Sequence, residues 1–133
     1  MALLIWPVVY DAGALLAAER DDDRMREVHR MCLSRGLEPI VPAPVVTQAW
    51  RDGAKQARVA RLLRGCRIAP TNEPIAKRAG VLLGRSGLAD AVDALVMATA
   101  LEARASVVTS DPDDLAKLAA AGLPQPSPQL IVI

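Results

Sequence analysis

Apolar positions along the chain alternate between unbroken runs and helical spacing. Leu3 to Tyr10 is a continuous apolar run with three β-branched residues, which fits a strand buried on both faces of a parallel sheet. A short helix, Gly13 to Glu19, is expected next. Beyond Asp21-Asp22-Asp23, which reads as a solvated helix N-terminus, Met25, Val28 and Cys32 share one face and Arg24, Arg26, Glu27 and Arg30 lie elsewhere. That amphipathic helix is expected to run to about Arg35 and stop at Gly36. Glu38 to Val41 reads as a second strand. Pro42-Ala43-Pro44 closes it and opens a third helix, Val45 to about Arg51. Val59, Leu62 and Leu63 form the inner face of the next stretch, and Cys66 to Ala69 reads as a third strand. Thr71 or Asn72 caps a helix from Pro74 to Gly84, with Gly87 as a break. A helix over 91–101, a strand from Ser106 to Thr109 and a helix to about Ala121 follow. Pro124, Pro126 and Pro128 then lead to an edge strand, Leu130 to Ile133. Strands alternating with helices predict an α/β fold, with a central parallel sheet and helices on both faces.

One of these helices breaks the amphipathic rule. Between Ala91 and Leu101 the only ionisable residue is Asp93. A helix apolar all round is a buried helix, and aspartate is rarely buried without a partner or a metal. The strand that follows ends near another acid, Asp111, and the first strand ends at Asp11. In open α/β sheets ligands gather at the carboxyl ends of strands, and a central first strand would place Asp11 at the switch point. Local roles compete with this reading. Asp90 suits an N-cap with Asp93 in the first turn, Asp111-Pro112-Asp113-Asp114 is a good helix start, and Asp11 could cap the helix after it.

Bulk properties narrow the field. A chain of 133 residues is expected to form a single domain, 1–133. The only aromatics are Trp6, Tyr10 and Trp50, so the core must be built from Ala, Leu and Val. Net charge is +1 and names no partner. Cys32 and Cys66 lack metal spacing and read as small apolar residues, consistent with a reducing cytoplasm. His29, the single histidine, has no triad partners nearby. The longest apolar run is too short to span a bilayer and lacks a signal-peptide flank, so a soluble cytoplasmic protein is expected. Residues 51–67 carry Arg51, Lys55, Arg58, Arg61, Arg64 and Arg67 against one acid, Asp52. Such a stripe suits a phosphate backbone or, equally, a solvated helix face.

The candidate site is Asp11, Asp90, Asp93 and Asp111, supported by Asp113 or Asp114. The chain holds no serine elbow, Cys–His pair, phosphate loop or dinucleotide fingerprint. Converging carboxylates repel and raise one another's pKa, and a divalent cation relieves this. All-oxygen ligands point to Mg²⁺ or Mn²⁺ and away from zinc. Such an ion can make water nucleophilic at neutral pH and stabilise charge on phosphoryl oxygens, so phosphodiester hydrolysis is the expected reaction. A receiver domain is disfavoured, because Gly13 stands where a second acid is needed.

Four segments in order resemble the PIN domain, specifically the VapC toxin nucleases of VapBC toxin–antitoxin pairs. They are Val8 to Ala17 (VVYDAGALLA), Val41 to Arg51 (VPAPVVTQAWR), Asp90 to Leu101 (DAVDALVMATAL) and Val107 to Asp111 (VVTSD). The resemblance implies a PIN-like three-layer α/β/α fold and a Mg²⁺-dependent endoribonuclease. It also implies a homodimer and a VapB-like antitoxin. Asp11, Asp93 and Asp111 then correspond to the catalytic acids, with Asp90 and Asp114 as accessory metal ligands. Arg51, Lys55 and Arg58 are candidate RNA contacts. One position departs from the family: Gln48 stands where a glutamate is usual. An amide can ligate a metal but carries no charge and is no base near neutral pH. Asp52 would partly compensate if the helix reached it. The alternative is therefore a catalytically weak PIN-fold protein that binds RNA or a partner.

Overall fold

The computed structural model describes residues 7–133. Of the expected first strand, 3–6 lie outside the described residues, and Val8–Tyr10 forms β1. The further elements are α1 (Ala12–Glu19), α2 (Asp23–Ser34), β2 (Ile40–Pro42), α3 (Ala43–Ala49), α4 (Ala57–Arg64), β3 (Arg67–Ala69), α5 (Glu73–Ser86), α6 (Ala91–Ala103), β4 (Ser106–Thr109), α7 (Pro112–Ala121) and β5 (Leu130–Val132). A single 3₁₀ turn, Ala54–Gln56, precedes α4.

The sheet runs in the order β3-β2-β1-β4-β5, and every pairing is parallel. β1 is central. Val9 pairs with Ile40 on one side and with Val107 on the other. Crossovers leave β1 in both directions, so the switch point falls between the carboxyl ends of β1 and β4. Both strands are buried throughout, which accounts for their unbroken apolar runs. Helices flank the sheet in an α/β/α arrangement, the PIN-like architecture expected from the sequence. α1 packs on β1 and β4, while α6 packs on β1, β2 and β4.

α6 is buried on nearly all sides, through Ala94, Val96, Met97, Ala98, Ala100 and Leu101. That is the physical meaning of its missing polar face. The core around it is aliphatic: Val8, Val9, Leu15, Val41, Val45, Val107, Val108, Leu115 and Leu118 are all at most 1% exposed. Tyr10 is the aromatic exception. Its hydroxyl meets Nδ1 of His29 at 2.9 Å, which makes that histidine a half-buried partner of the core. Burial lowers the His29 pKa.

α3 differs from expectation. It begins at Ala43 and ends at Ala49, so it does not carry on to Arg51. The cause is a side chain farther along. Gln56 is buried; its Oε1 accepts the Arg51 N–H at 2.7 Å, and its Nε2 donates to the Ala49 carbonyl at 2.7 Å. Those groups are thereby withdrawn from helical bonding. Asp52 lies beyond the end with φ +55°, so the helical continuation that would bring it behind Gln48 does not exist.

Candidate metal centre

Three element junctions bring the acids to the carboxyl end of the sheet. Asp11 follows β1 directly, and its N–H extends the ladder to the Val108 carbonyl at 3.3 Å. Its Oδ1 accepts the Ala14 N–H at 2.9 Å, so it does cap α1. Capping uses one oxygen in one direction and leaves acceptor capacity on the other. Asp11 is only 7% exposed. Burial raises its pKa, the Thr109 hydroxyl and the Ala14 and Gly13 N–H groups pull it back, and Asp111 pushes it up again.

Asp90 caps α6, its Oδ1 accepting the Asp93 N–H at 3.0 Å. Asp93 itself, one turn in, is pushed up to about 6. Burial is the first cause; repulsion from Asp90, Asp11, Asp114 and Asp111 follows, in that order. One carboxyl therefore feels all four other candidate acids at once. Among the described residues no lysine or arginine forms an ion pair with Asp11, Asp90, Asp93 or Asp111. Asp114 is the exception, 3.9 Å from Lys117 Nζ. Asp113 is exposed.

Asp111 occupies the cap position of α7, yet its side chain makes no capping bond. The cap alternative is thus absent at this residue. Its backbone is held instead: the Asp111 N–H donates to Thr109 Oγ1 at 3.0 Å. Thr109 is fully buried and has one hydroxyl proton to give. That hydroxyl lies near the Asp11 carboxylate and lowers its pKa. A single side chain therefore ties the ends of β1 and β4 together. Sequence reading passed over Thr109 as the last residue of a strand; the signal was a hydroxyl at a buried strand end, two residues before an acid. Gly13, inside α1, meets the same junction. A Cβ there would stand 2.3 Å from Ser110 Oγ and 3.3 Å from Ser110 N, so the two loops press against each other.

A divalent ion fits this donor set by its chemistry: hard oxygens, mutual repulsion and no resident cation. Among the described residues, no three His, Cys, Asp or Glu side chains are gathered closely enough to hold a bare ion. Mg²⁺ keeps several of its waters and needs only one or two direct carboxylates, so spaced acids suit it.

Gln48 is exposed and lines a groove with Leu16, Glu19, Arg51 and Lys55. The basic residues divide between two surfaces. Arg51 and Lys55 border the Gln48 groove. Arg58, Arg61 and Arg64 border a second groove between α2 and α4. Arg58 donates to the Glu19 carbonyl at 3.3 Å and stands 3.9 Å from Asp21 Oδ2, so its charge is partly spent within the chain.

The chain belongs to the PIN domain family, which it matches over residues 8–121. No curated protein matches it by sequence. Its fold is similar to that of VapBC2 from Rickettsia felis bound to a promoter DNA fragment (TM-score 0.71, 14% identity, 95% of this chain and 98% of that one). It is similar also to a toxin–antitoxin complex from Klebsiella pneumoniae (TM-score 0.62, 18% identity, 94% and 96%). A third is FitAcB from Neisseria gonorrhoeae (TM-score 0.62, 16% identity, 93% and 96%).

Proposed function

We propose that this single-domain protein is a Mg²⁺-dependent endoribonuclease acting in the cytoplasm as the toxin of a toxin–antitoxin pair. The observation that carries the reading is the convergence of acids at the ends of β1 and β4 and the start of α6: Asp93 is pushed up to about 6 by burial and by Asp90, Asp11, Asp114 and Asp111, of which only Asp114 has an ion-paired base. Asp11, Asp93 and Asp111 would hold the ion, with Asp90 and Asp114 at its margin; Mn²⁺ would serve similarly. When bound, the ion supplies charge neutralisation, polarises a phosphoryl oxygen and lowers the pKa of water. The chain's own part is orientation. Ala14 and Thr109 fix the Asp11 carboxylate, and Thr109 fixes the backbone of Asp111. Arg51 and Lys55, which share one groove, would meet the RNA backbone, whereas Arg58 borders the other groove.

The antitoxin reading draws on the printed names of the similar folds and on the α2–α4 groove. That groove measures about 620 Å³, with Met25, Leu33 and Leu62 among its apolar lining and Arg61 and Arg64 at its side. It suits an apolar segment carrying acids. A homodimer is part of the same proposal.

Cleavage of total RNA with Mg²⁺ and with EDTA tests the reading, comparing wild type with Asp93→Asn. Metal-dependent cleavage that disappears in the variant is expected. RNA binding without any cleavage would instead favour the weak, binding-only alternative that Gln48 raises.

A further inference from the structure

We propose that β5 is a self-association surface: two copies of this chain pair edge to edge through β5, antiparallel, about a two-fold axis at Ile131. The proposal rests on the homodimer reading above and names the surface that makes it.

β5 ends the sheet order, so only one of its edges is paired. The ladder to β4 decides which backbone groups are left over. The Val107 N–H donates to the Gln129 carbonyl at 2.9 Å, and the Ile133 N–H donates to the Thr109 carbonyl at 3.0 Å. With Val108 opposite Ile131, residues 129, 131 and 133 turn their groups toward β4. Alternation along the strand turns the N–H and C=O of Leu130 and Val132 outward, and among the described residues nothing bonds to them. These outward groups are spaced to satisfy a copy of themselves. In an antiparallel pairing centred on Ile131, Leu130 stands opposite Val132 of the second copy, and such a pair exchanges both N–H···O bonds. The two-fold axis makes that pair twice.

The side chains agree with the backbone. Free sheet edges are commonly guarded by charge or proline. Residues 130–133, Leu-Ile-Val-Ile, contain neither, and Val132 is 47% exposed. Leu130 and Val132 share one face of the strand, so the pairing covers each Val132 with the other copy's Leu130. Beside this edge runs a groove of about 480 Å³, walled by the first half of α2. It carries both signs of charge. Asp23 and Glu27 pair within α2, with Arg26 and Arg30 at 3.1 and 2.6 Å, while Arg24 forms no ion pair among the described residues. A two-fold axis sets this mixed surface against itself and offers each Arg24 the acids of the other copy. A segment carrying one sign alone would meet its like there.

The test is molar mass by light scattering over a range of concentrations, for wild type, Val132→Lys, Val132→Pro and Val132→Thr. Wild type is expected at twice the mass of one chain. Val132→Lys breaks both apolar cross-strand pairs and should weaken dimerisation by about tenfold. Val132→Pro deletes an outward N–H without costing a bond to β4, and should shift the mass to the monomer. Val132→Thr keeps the backbone groups and the branching, and should stay dimeric. Should Val132→Pro fail to fold, amide exchange in wild type gives the same answer: the Leu130 and Val132 protons are expected to exchange slowly when concentrated and fast on dilution. A dimer undiminished in Val132→Lys and Val132→Pro, or one whose Leu130 and Val132 amides exchange fast, would overturn the surface and leave the homodimer reading standing. Open-ended aggregates would overturn the two-fold pairing. A wild type that is monomeric at every concentration overturns the surface and the homodimer together.

Discussion

Oγ1 of Thr109 accepts the backbone N–H of Asp111 at 3.0 Å, and through this bond the end of β4 sets the direction of the last acid. The same hydroxyl faces Asp11. Thr109→Val keeps the shape and deletes both interactions. It is expected to cost about 1 kcal/mol, because the part-buried Asp111 N–H loses its partner and the Asp11 carboxylate loses a nearby hydroxyl. Thr109→Ser should recover most of the loss. Urea denaturation of the two variants provides the check, and a valine variant as stable as wild type would remove the tie from the account.

Gly13 and Ser110 supply an independent probe of the same junction. The Cβ of Gly13→Ala would meet Ser110 Oγ at 2.3 Å, so the serine must rotate or the loops must part. A loss of about 1–3 kcal/mol is expected for such overpacking. Ser110→Ala removes the clashing oxygen. The double variant should therefore be more stable than the sum of the single effects allows, which a double-mutant cycle measures.

Much of this architecture can be read from the sequence for a simple reason. β1 and β4 are buried on both faces, so their apolar runs announce them, and Asp93 stands out because α6 has no other charge over 91–101. What escaped notice depends on contacts between separated residues. Periodicity cannot see that Gln56 reaches back to Ala49 and Arg51, so it extends α3 to about Arg51, where the helix in fact ends at Ala49 and does not reach Asp52. Nor can it see Thr109 facing Asp11 across two strands. The basic stripe looked continuous along the chain, but the turn at 54–56 sends its two halves to different grooves.

The Gln56 clamp makes its own prediction. Gln56→Ala leaves the Ala49 carbonyl and the Arg51 N–H without their partner. A destabilisation of about 1–3 kcal/mol is expected. Tryptophan emission should also shift, since the backbone on both sides of Trp50 is released. Thermal melts followed by fluorescence test both points, and an unchanged emission maximum would mean that the indole is held by other contacts.

The pH dependence of the metal-free protein follows from Asp93. Its pKa is raised from 3.8 unfolded to about 6 folded, so the folded state holds the proton more tightly. Stability from this group is complete below pH 3.8 and is lost as pH rises through about 6. The whole shift corresponds to about 3 kcal/mol, which solvent screening at this half-buried position reduces to about 1 kcal/mol. Urea midpoints in EDTA should fall over this range in wild type and fall less in Asp93→Asn. A midpoint that climbs from pH 4 to 6 equally in both proteins would contradict the assignment.

The claim beneath all of these is that the carboxylates at the ends of β1 and β4 and the start of α6 share one hollow whose repulsion a hard divalent ion relieves. Melting temperature at pH 7.5 against Mg²⁺ concentration tests it most directly, in wild type and in Asp93→Asn, with NaCl matched for ionic strength. The account predicts a saturable rise in wild type that is much reduced in the variant. Identical responses of the two proteins, or no response in wild type, would contradict it.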